Sequence, residues 1–307
     1  MAKAFYIARS GRPGPVLIDI TKDAQFEFFD FAYEKCKGVR SYQPVPVLDM
    51  AQVNEAAAAI NAAKQPMIVW GQGVILGEAE EEFKAFVESS GIPSVWTILG
   101  LSALPTSHPL NMGMVGMHGN YGPNLLTNEC DVLIAIGMRF DDRVTGNLAT
   151  YAKQAKVVHL EIDPAEISKN VHADFPILGN CKESLLALTK LVQHKPLKEW
   201  KGRFAAHMET EYETVIKDDK LPTKGGLTMG EAIVAINKYT GGDAVIVTDV
   251  GQHQMITCRY AEFIRSKSNV TSGGLGTMGF ALPAAIGAKM GAEDRHVVAV
   301  IGDGGYQ

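Results

Sequence analysis

Apolar residues recur along this chain in short blocks, separated by longer stretches in which they return every three or four positions. The blocks at 67–70, 94–98, 131–136, 157–162, 244–248 and 297–301 are strand-sized and nearly continuous, the pattern of strands buried on both faces. Between them lie helix-length segments such as 78–90, which Gly91 stops. Another helix begins at Asp49, which is placed to cap it, with Gln52 completing a capping box, four alanines at 56–59 in its body and Pro66 ending the segment. Thr228 and Glu231 repeat that box spacing near the C-terminal third of the chain. Strand–helix alternation of this kind predicts an α/β protein with doubly wound parallel sheets.

Residues 1–25 predict a helix end and one strand, 15–20, which cannot form a core alone and read as the tail of a larger unit. A Pro- and aromatic-rich linker, 26–46, leads to a central unit over 47–190. A charged, weakly apolar stretch, 193–224, then joins a last unit that occupies about 195–307. No internal repeat or low-complexity tract interrupts this order.

With 307 residues, 46% apolar and 21% charged, the chain is long enough for about two domains. A net charge of -5 without any Lys/Arg-rich run argues against nucleic acid as a partner. The longest apolar runs fall far short of the roughly 20 residues of a membrane span, and Met1 opens no signal peptide. Cys36, Cys130, Cys181 and Cys258 are scattered without metal-site spacing, which fits a reducing cytoplasm.

The chemistry concentrates where strands end. A Gly-Asp-Gly-Gly turn, 302–305, follows the block at 297–301, where glycines let backbone approach a diphosphate and Asp303 is free to hold a divalent cation. Mg²⁺ takes near-octahedral oxygen ligation, so one carboxylate is only the start of a site. The run 137–146, Gly-Met-Arg-Phe-Asp-Asp-Arg-Val-Thr-Gly, follows another buried block, and its arginines suit a polyanion or, alternatively, a local Arg–Asp network. Glu161 ends the next block, where an acid commonly takes ribose hydroxyls. The glycines at 71, 73 and 77 resemble a dinucleotide fingerprint with one residue too many, or else make a tight turn. His118, in Gly-Met-His-Gly at 116–119, is either structural or part of a site. Gly-Leu-Gly-Thr-Met-Gly at 274–279 matches GxGxxG literally, which admits an NAD-dependent dehydrogenase with Asp303 on a ribose, or a non-catalytic nucleotide-binding module.

Taken together, the motifs at 11–23, 116–119, 139–146, 251–255, 271–279 and 302–304 resemble, in order, those of the acetolactate synthase (acetohydroxyacid synthase) catalytic-subunit family of thiamine-diphosphate enzymes. The resemblance implies three α/β domains: a pyrimidine-binding domain ending at 1–25, a central FAD-binding domain at 47–190, and the first half of a diphosphate-binding domain at 195–307. It implies thiamine diphosphate, Mg²⁺ and FAD as cofactors, with the flavin doing no net redox. The substrates would be 2-keto acids, pyruvate condensing with pyruvate or 2-ketobutyrate with loss of CO₂ in valine, leucine and isoleucine biosynthesis. A homodimer or tetramer with a regulatory subunit would be the assembly.

By the same resemblance, Arg12, Gly71, Thr97 and Ile98 would contact FAD, as would Val115, Gly116, Met117 and His118. Gly137, Met138, Arg139, Phe140, Asp141, Glu161 and Ile162 would complete that site. Gln252 and His253 would sit beside thiamine diphosphate, Gly276, Thr277 and Met278 would hold its aminopyrimidine, and Gly304 and Gly305 would border its diphosphate. Asp303 would be the first Mg²⁺ ligand, and Arg143 would stand at the substrate-channel mouth. Two positions depart from the family: Asn180 replaces an acid near the flavin, and Ile256 replaces a Trp. The family's activating Glu belongs to the first domain, and the Asn completing its metal site would follow Gln307. The chain therefore reads as an internal fragment, inactive alone.

Overall fold

The computed structural model describes residues 1–221 and 226–307; the last positions of the joining stretch, 222–224, lie outside the described residues. Strands β1 (Pro66–Trp70), β2 (Ser94–Trp96), β3 (Asn111–Met114), β4 (Val132–Ile136), β5 (Lys156–Glu161) and β6 (Phe175–Leu178) form one sheet, in the order β3-β2-β1-β4-β5-β6. All its pairings are parallel. The chain thus winds outward from β1 in one direction and from β4 in the other, and the crevice between their carboxyl ends is where such sheets take ligands. A second parallel sheet, in the order β8-β7-β9, comprises β7 (Val245–Thr248), β8 (Asn269–Thr271) and β9 (Val297–Val300).

The continuous apolar blocks are explained by burial on both faces. In β1, Ile68 and Trp70 join one core while Met67 and Val69 join the other, and in β4 Ile134 and Ile136 oppose Leu133 and Ala135 in the same way. Helices Met50–Ala62, Glu80–Ser90 and Cys181–Thr189 cover the first face through Val53, Phe83, Phe86 and Leu185. The second face is covered partly by helix Lys198–Glu211, whose Trp200 and Phe204 are buried and whose Trp200 indole donates to the Pro66 carbonyl at 2.8 Å. The charged stretch expected only to join two units therefore supplies core to the first sheet.

Several local expectations change. Residues 15–20 form no strand, and Leu17 is 95% exposed, because no neighbouring strand supplies hydrogen-bond partners. Pro66 opens β1 instead of ending the helix before it. Asp49 does cap helix Met50–Ala62, but its carboxylate accepts from Ala51 and makes no box with Gln52. The box at Thr228 and Glu231 forms in full on helix Met229–Thr240.

Candidate functional site

The crevice at the β1–β4 switch point is a cleft open to solvent, where sheets of this topology take ligands. Its floor is two turns in close contact. The Gly71 N–H donates to Ile136 and the Gly73 N–H to Gly137, both at 2.9 Å. A side chain on Gly73 would begin 2.5 Å from the Gly137 Cα, so these glycines are set by the crossing of the β1 and β4 turns. The spacing that departs from a dinucleotide fingerprint is thus a close backbone approach that also leaves the cleft floor bare.

Around this floor the structure gathers Arg12, Gly71, Thr97, Gly137, Met138 and Arg139, together with Phe140, Asp141, Glu161 and Ile162. Gly11, Gln72, Leu99, Asn180 and Cys181 also line it. Cys181 opens helix Cys181–Thr189, and burial pushes its thiol up to about 12, so it lines the cleft as a neutral, weakly polar wall. Phe140 lies at φ +51°, in the left-handed region, although it is a buried aromatic residue. Such a conformation persists only where surroundings impose it.

Charge is distributed unevenly across the cleft. Arg139 pairs with Asp141 at 3.3 Å and Arg143 with Asp142 at 3.8 Å, so the local Arg–Asp contacts form. Arg139 nonetheless remains about half exposed at the cleft wall. Arg12 reaches across from the N-terminal segment to Asp163 at 3.1 Å and Glu166 at 2.9 Å. Burial pushes the Glu166 carboxyl up, but hydrogen bonds from Arg12 and Lys169 outweigh it and hold Glu166 below its ordinary value. At Glu161 burial wins: its carboxyl is raised, even though one oxygen accepts from the Ile162 and Asp163 N–H groups at 2.9 and 3.2 Å.

Four expected residues lie beside this cleft. The 115–118 turn docks on the 142–145 helix through a Met117 N–H bond to the Arg143 carbonyl at 2.7 Å. His118 is held below its ordinary value by burial and then by Arg143. Ile98 does not line the cleft: its side chain packs against the core and its carbonyl accepts from Asn269 at 3.1 Å.

A second constellation forms at the carboxyl edge of the second sheet. The His253 ring lies against the turn after β9, where a side chain on Gly302 would begin 2.9 Å from its Cε1. Its Nε2 is buried without a partner. Gln254, next along the helix Gln252–Tyr260, is buried and donates to Thr271 at 2.6 Å, while Gln252 is exposed. Sequence reasoning missed Asp249, which ends β7 and is 1% exposed. One Asp249 oxygen accepts from Ala281 at the start of helix Ala281–Gly291; the other is buried without a partner, against Gly305. The signal available was an acid directly after a buried strand, as at Glu161.

Met278 stands near Gly304, but Gly276 and Thr277 belong to an excursion whose Leu275 is 94% exposed. This geometry counts against the nicotinamide reading. The literal GxGxxG makes no tight strand-to-helix turn, and the N-terminus it leads to is already capped by Asp249. Asp303 is exposed and accepts only from the Gly304 N–H at 2.9 Å. Among the described residues no group of three or more His, Cys, Asp or Glu could hold a metal ion, so Asp303 supplies at most one ligand. The unpartnered His253 Nε2 and the bare Gly302–Gly305 turn fit a bound phosphate group.

Comparison with known proteins bears on the family. Residues 53–188 match the thiamine pyrophosphate enzyme central domain, and residues 249–307 match the thiamine pyrophosphate enzyme C-terminal TPP binding domain. The chain is 41% identical to the acetolactate synthase large subunit of Corynebacterium glutamicum over 317 residues, covering all of this chain and 49% of that protein. It is 40% identical to the acetolactate synthase large subunit of Lactococcus lactis, covering 53% of it, and 38% identical to acetolactate synthase isozyme 3 large subunit of Escherichia coli, covering 54%. The chain spans about half the length of these curated relatives. From its two matched domains and its end-to-end likeness to these proteins, the chain belongs to the acetolactate synthase large-subunit family of thiamine pyrophosphate enzymes.

Proposed function

We propose that the first cleft holds FAD and that the second constellation is part of a thiamine-diphosphate site, both serving an acetolactate synthase. The whole protein would condense pyruvate with a second 2-keto acid, pyruvate or 2-ketobutyrate, with loss of CO₂, in branched-chain amino-acid biosynthesis. The observation that carries this reading is the convergence of Arg12, Arg139, Glu161 and the Gly73–Gly137 crossing on one switch-point cleft. On this reading 1–25 closes a pyrimidine-binding domain, 47–190 binds flavin and 195–307 begins the diphosphate-binding domain. A regulatory subunit would assemble with it in a dimer or tetramer.

The chain's own groups have separable tasks. Arg12 and Arg139 neutralise the flavin diphosphate from opposite walls, and the Gly71 and Gly73 turn lets backbone approach it. Glu161 accepts from a ribose hydroxyl. The 115–118 turn and Arg143 border the path by which a keto acid arrives. Thiamine diphosphate, when bound, supplies the decarboxylation and carbon–carbon bond-forming chemistry. His253 would donate to its phosphate end, Met278 would pack against its aminopyrimidine, and Asp303 would be one ligand of the accompanying Mg²⁺.

Titrating the purified chain with FAD, following flavin fluorescence, tests the first site. Wild type should bind weakly, because Arg12 is already shared between Asp163 and Glu166. Arg139→Ala should lose a further 1.5–3 kcal/mol or about that much, the worth of a charged hydrogen bond. Equal affinity in the two proteins would leave the Arg139–Arg143 run as a local ion network and remove the site assignment.

A further inference from the structure

One buried group takes no part in the roles above. His159, on β5, is 0% exposed, and its register partner on β4 is Ala135. From there its Nε2 reaches the Met138 carbonyl at 2.8 Å. A carbonyl only accepts, so Nε2 carries the proton, and Nδ1 is left bare with no partner. On that face of β5 and β4 its neighbours Val157, Leu133 and Ala135 are apolar, and the Glu161 carboxylate lies 4.0 Å from Nε2. An aliphatic side chain at 159 would satisfy the packing and remove the bare Nδ1, but it would leave the buried Met138 carbonyl without its donor.

What the imidazole adds is contact with the strained turn. Phe140 packs edge-on against its ring, with centroids 5.0 Å apart, and the Phe140 carbonyl is fixed by Asn170 at 2.9 Å. Met138, Arg139 and Phe140 then turn directly into the cleft wall. We propose that His159 is a positioning residue for nucleotide binding: its Nε2–H bond to Met138 and its ring against Phe140 hold the 138–140 backbone in the left-handed turn that presents Arg139 to the cleft. This inference rests on the reading of that cleft as an FAD site.

The test uses the full 307-residue chain, with FAD as the probe and thermal unfolding recorded for each variant. Gln can place its amide nitrogen where Nε2 stands, whereas Leu fills the space without a donor. His159→Gln should bind FAD within about twofold of wild type, and His159→Leu should bind roughly five- to tenfold more weakly while still unfolding in one cooperative transition. Should His159→Leu fail to fold, His159→Asn, whose amide is too short to reach Met138, replaces it with the same expected loss. Wild-type affinity in His159→Leu, or equal losses in the Gln and Leu variants, overturns the inference while leaving the cleft reading intact. Absence of FAD binding in wild type removes the cleft reading, and the inference falls with it.

Discussion

A buried neutral imidazole makes the stability of this fold depend on pH. Burial holds His159 below its ordinary value, and the Met138 carbonyl only partly opposes that. Protonation near pH 6.5 is therefore easier in the unfolded chain, so the stability tied to neutral His159 is complete above about pH 6.5 and is lost as pH falls. His118, lowered by burial and Arg143, acts in the same direction. Glu161, raised by burial, works the other way: its contribution is present at low pH and declines as pH rises through its folded value. Melting temperatures from pH 7.5 to 5.5 should fall more steeply for wild type than for His159→Leu; parallel slopes would place the acid sensitivity elsewhere. Residues differed sharply in how readable they were. Arg139 and Asp141 announced themselves as charges directly after a buried strand, where a ligand, solvent or a mutual ion pair must satisfy them. His159 gave no such sign, because a lone His inside a strand has its partner on another strand's turn. Asp249 carried the sign of an acid directly after a buried strand, but its role depends on the helix start it caps, 32 residues later.

Elements followed local chemistry where that chemistry was strong. Gly91 ends helix Glu80–Ser90 in the left-handed conformation expected of it, at φ +70°. The strands that escaped notice lacked an apolar run. In β3, Asn-Met-Gly-Met alternates buried and half-buried positions, and β8 has only three residues. Pro176 is tolerated in β6 because β6 is an edge strand paired only with β5. Residues 15–20 show the converse: apolar content makes no strand without a partner. The box on helix Met229–Thr240 gives the element-scale prediction. The Thr228 hydroxyl accepts from Glu231 N at 3.1 Å and donates to the Asp219 carbonyl at 2.6 Å, while Glu231 accepts from Thr228 N at 2.7 Å. Thr228→Ala removes both hydroxyl bonds and should cost about 1–2 kcal/mol in urea unfolding, with the slope unchanged. An unaltered midpoint would mean that the helix start is held by its packing alone.

At the scale of the molecule, the loop after β2 joins the two sheets. Thr97 and Leu99 line the first cleft, while the Ile98 carbonyl accepts from Asn269 and the Ser102 hydroxyl from the Ser268 N–H at 3.1 Å. Thr106 and Phe263 exchange bonds close by, so the loop is tied to β8 and its approach. These polar bonds accompany a shared apolar core, in which Leu101 and Leu104 join Ile246, Tyr260 and Phe263, and they span more than 150 residues of sequence, which no periodicity could reveal. The two sites are unequal. The first cleft has walls, floor and both arginines within the described residues, whereas the second constellation offers Asp303 without companion metal ligands. Mg²⁺ demands near-ideal octahedral oxygen ligation, to which Asp303 alone contributes little. The purified 307-residue chain, given pyruvate, thiamine diphosphate, Mg²⁺ and FAD, should therefore bind the flavin and form no acetolactate. Acetolactate production above that of a mock purification from the same host would show that Asp303 and His253 suffice for turnover, and that the second site is more complete than its carboxylates indicate.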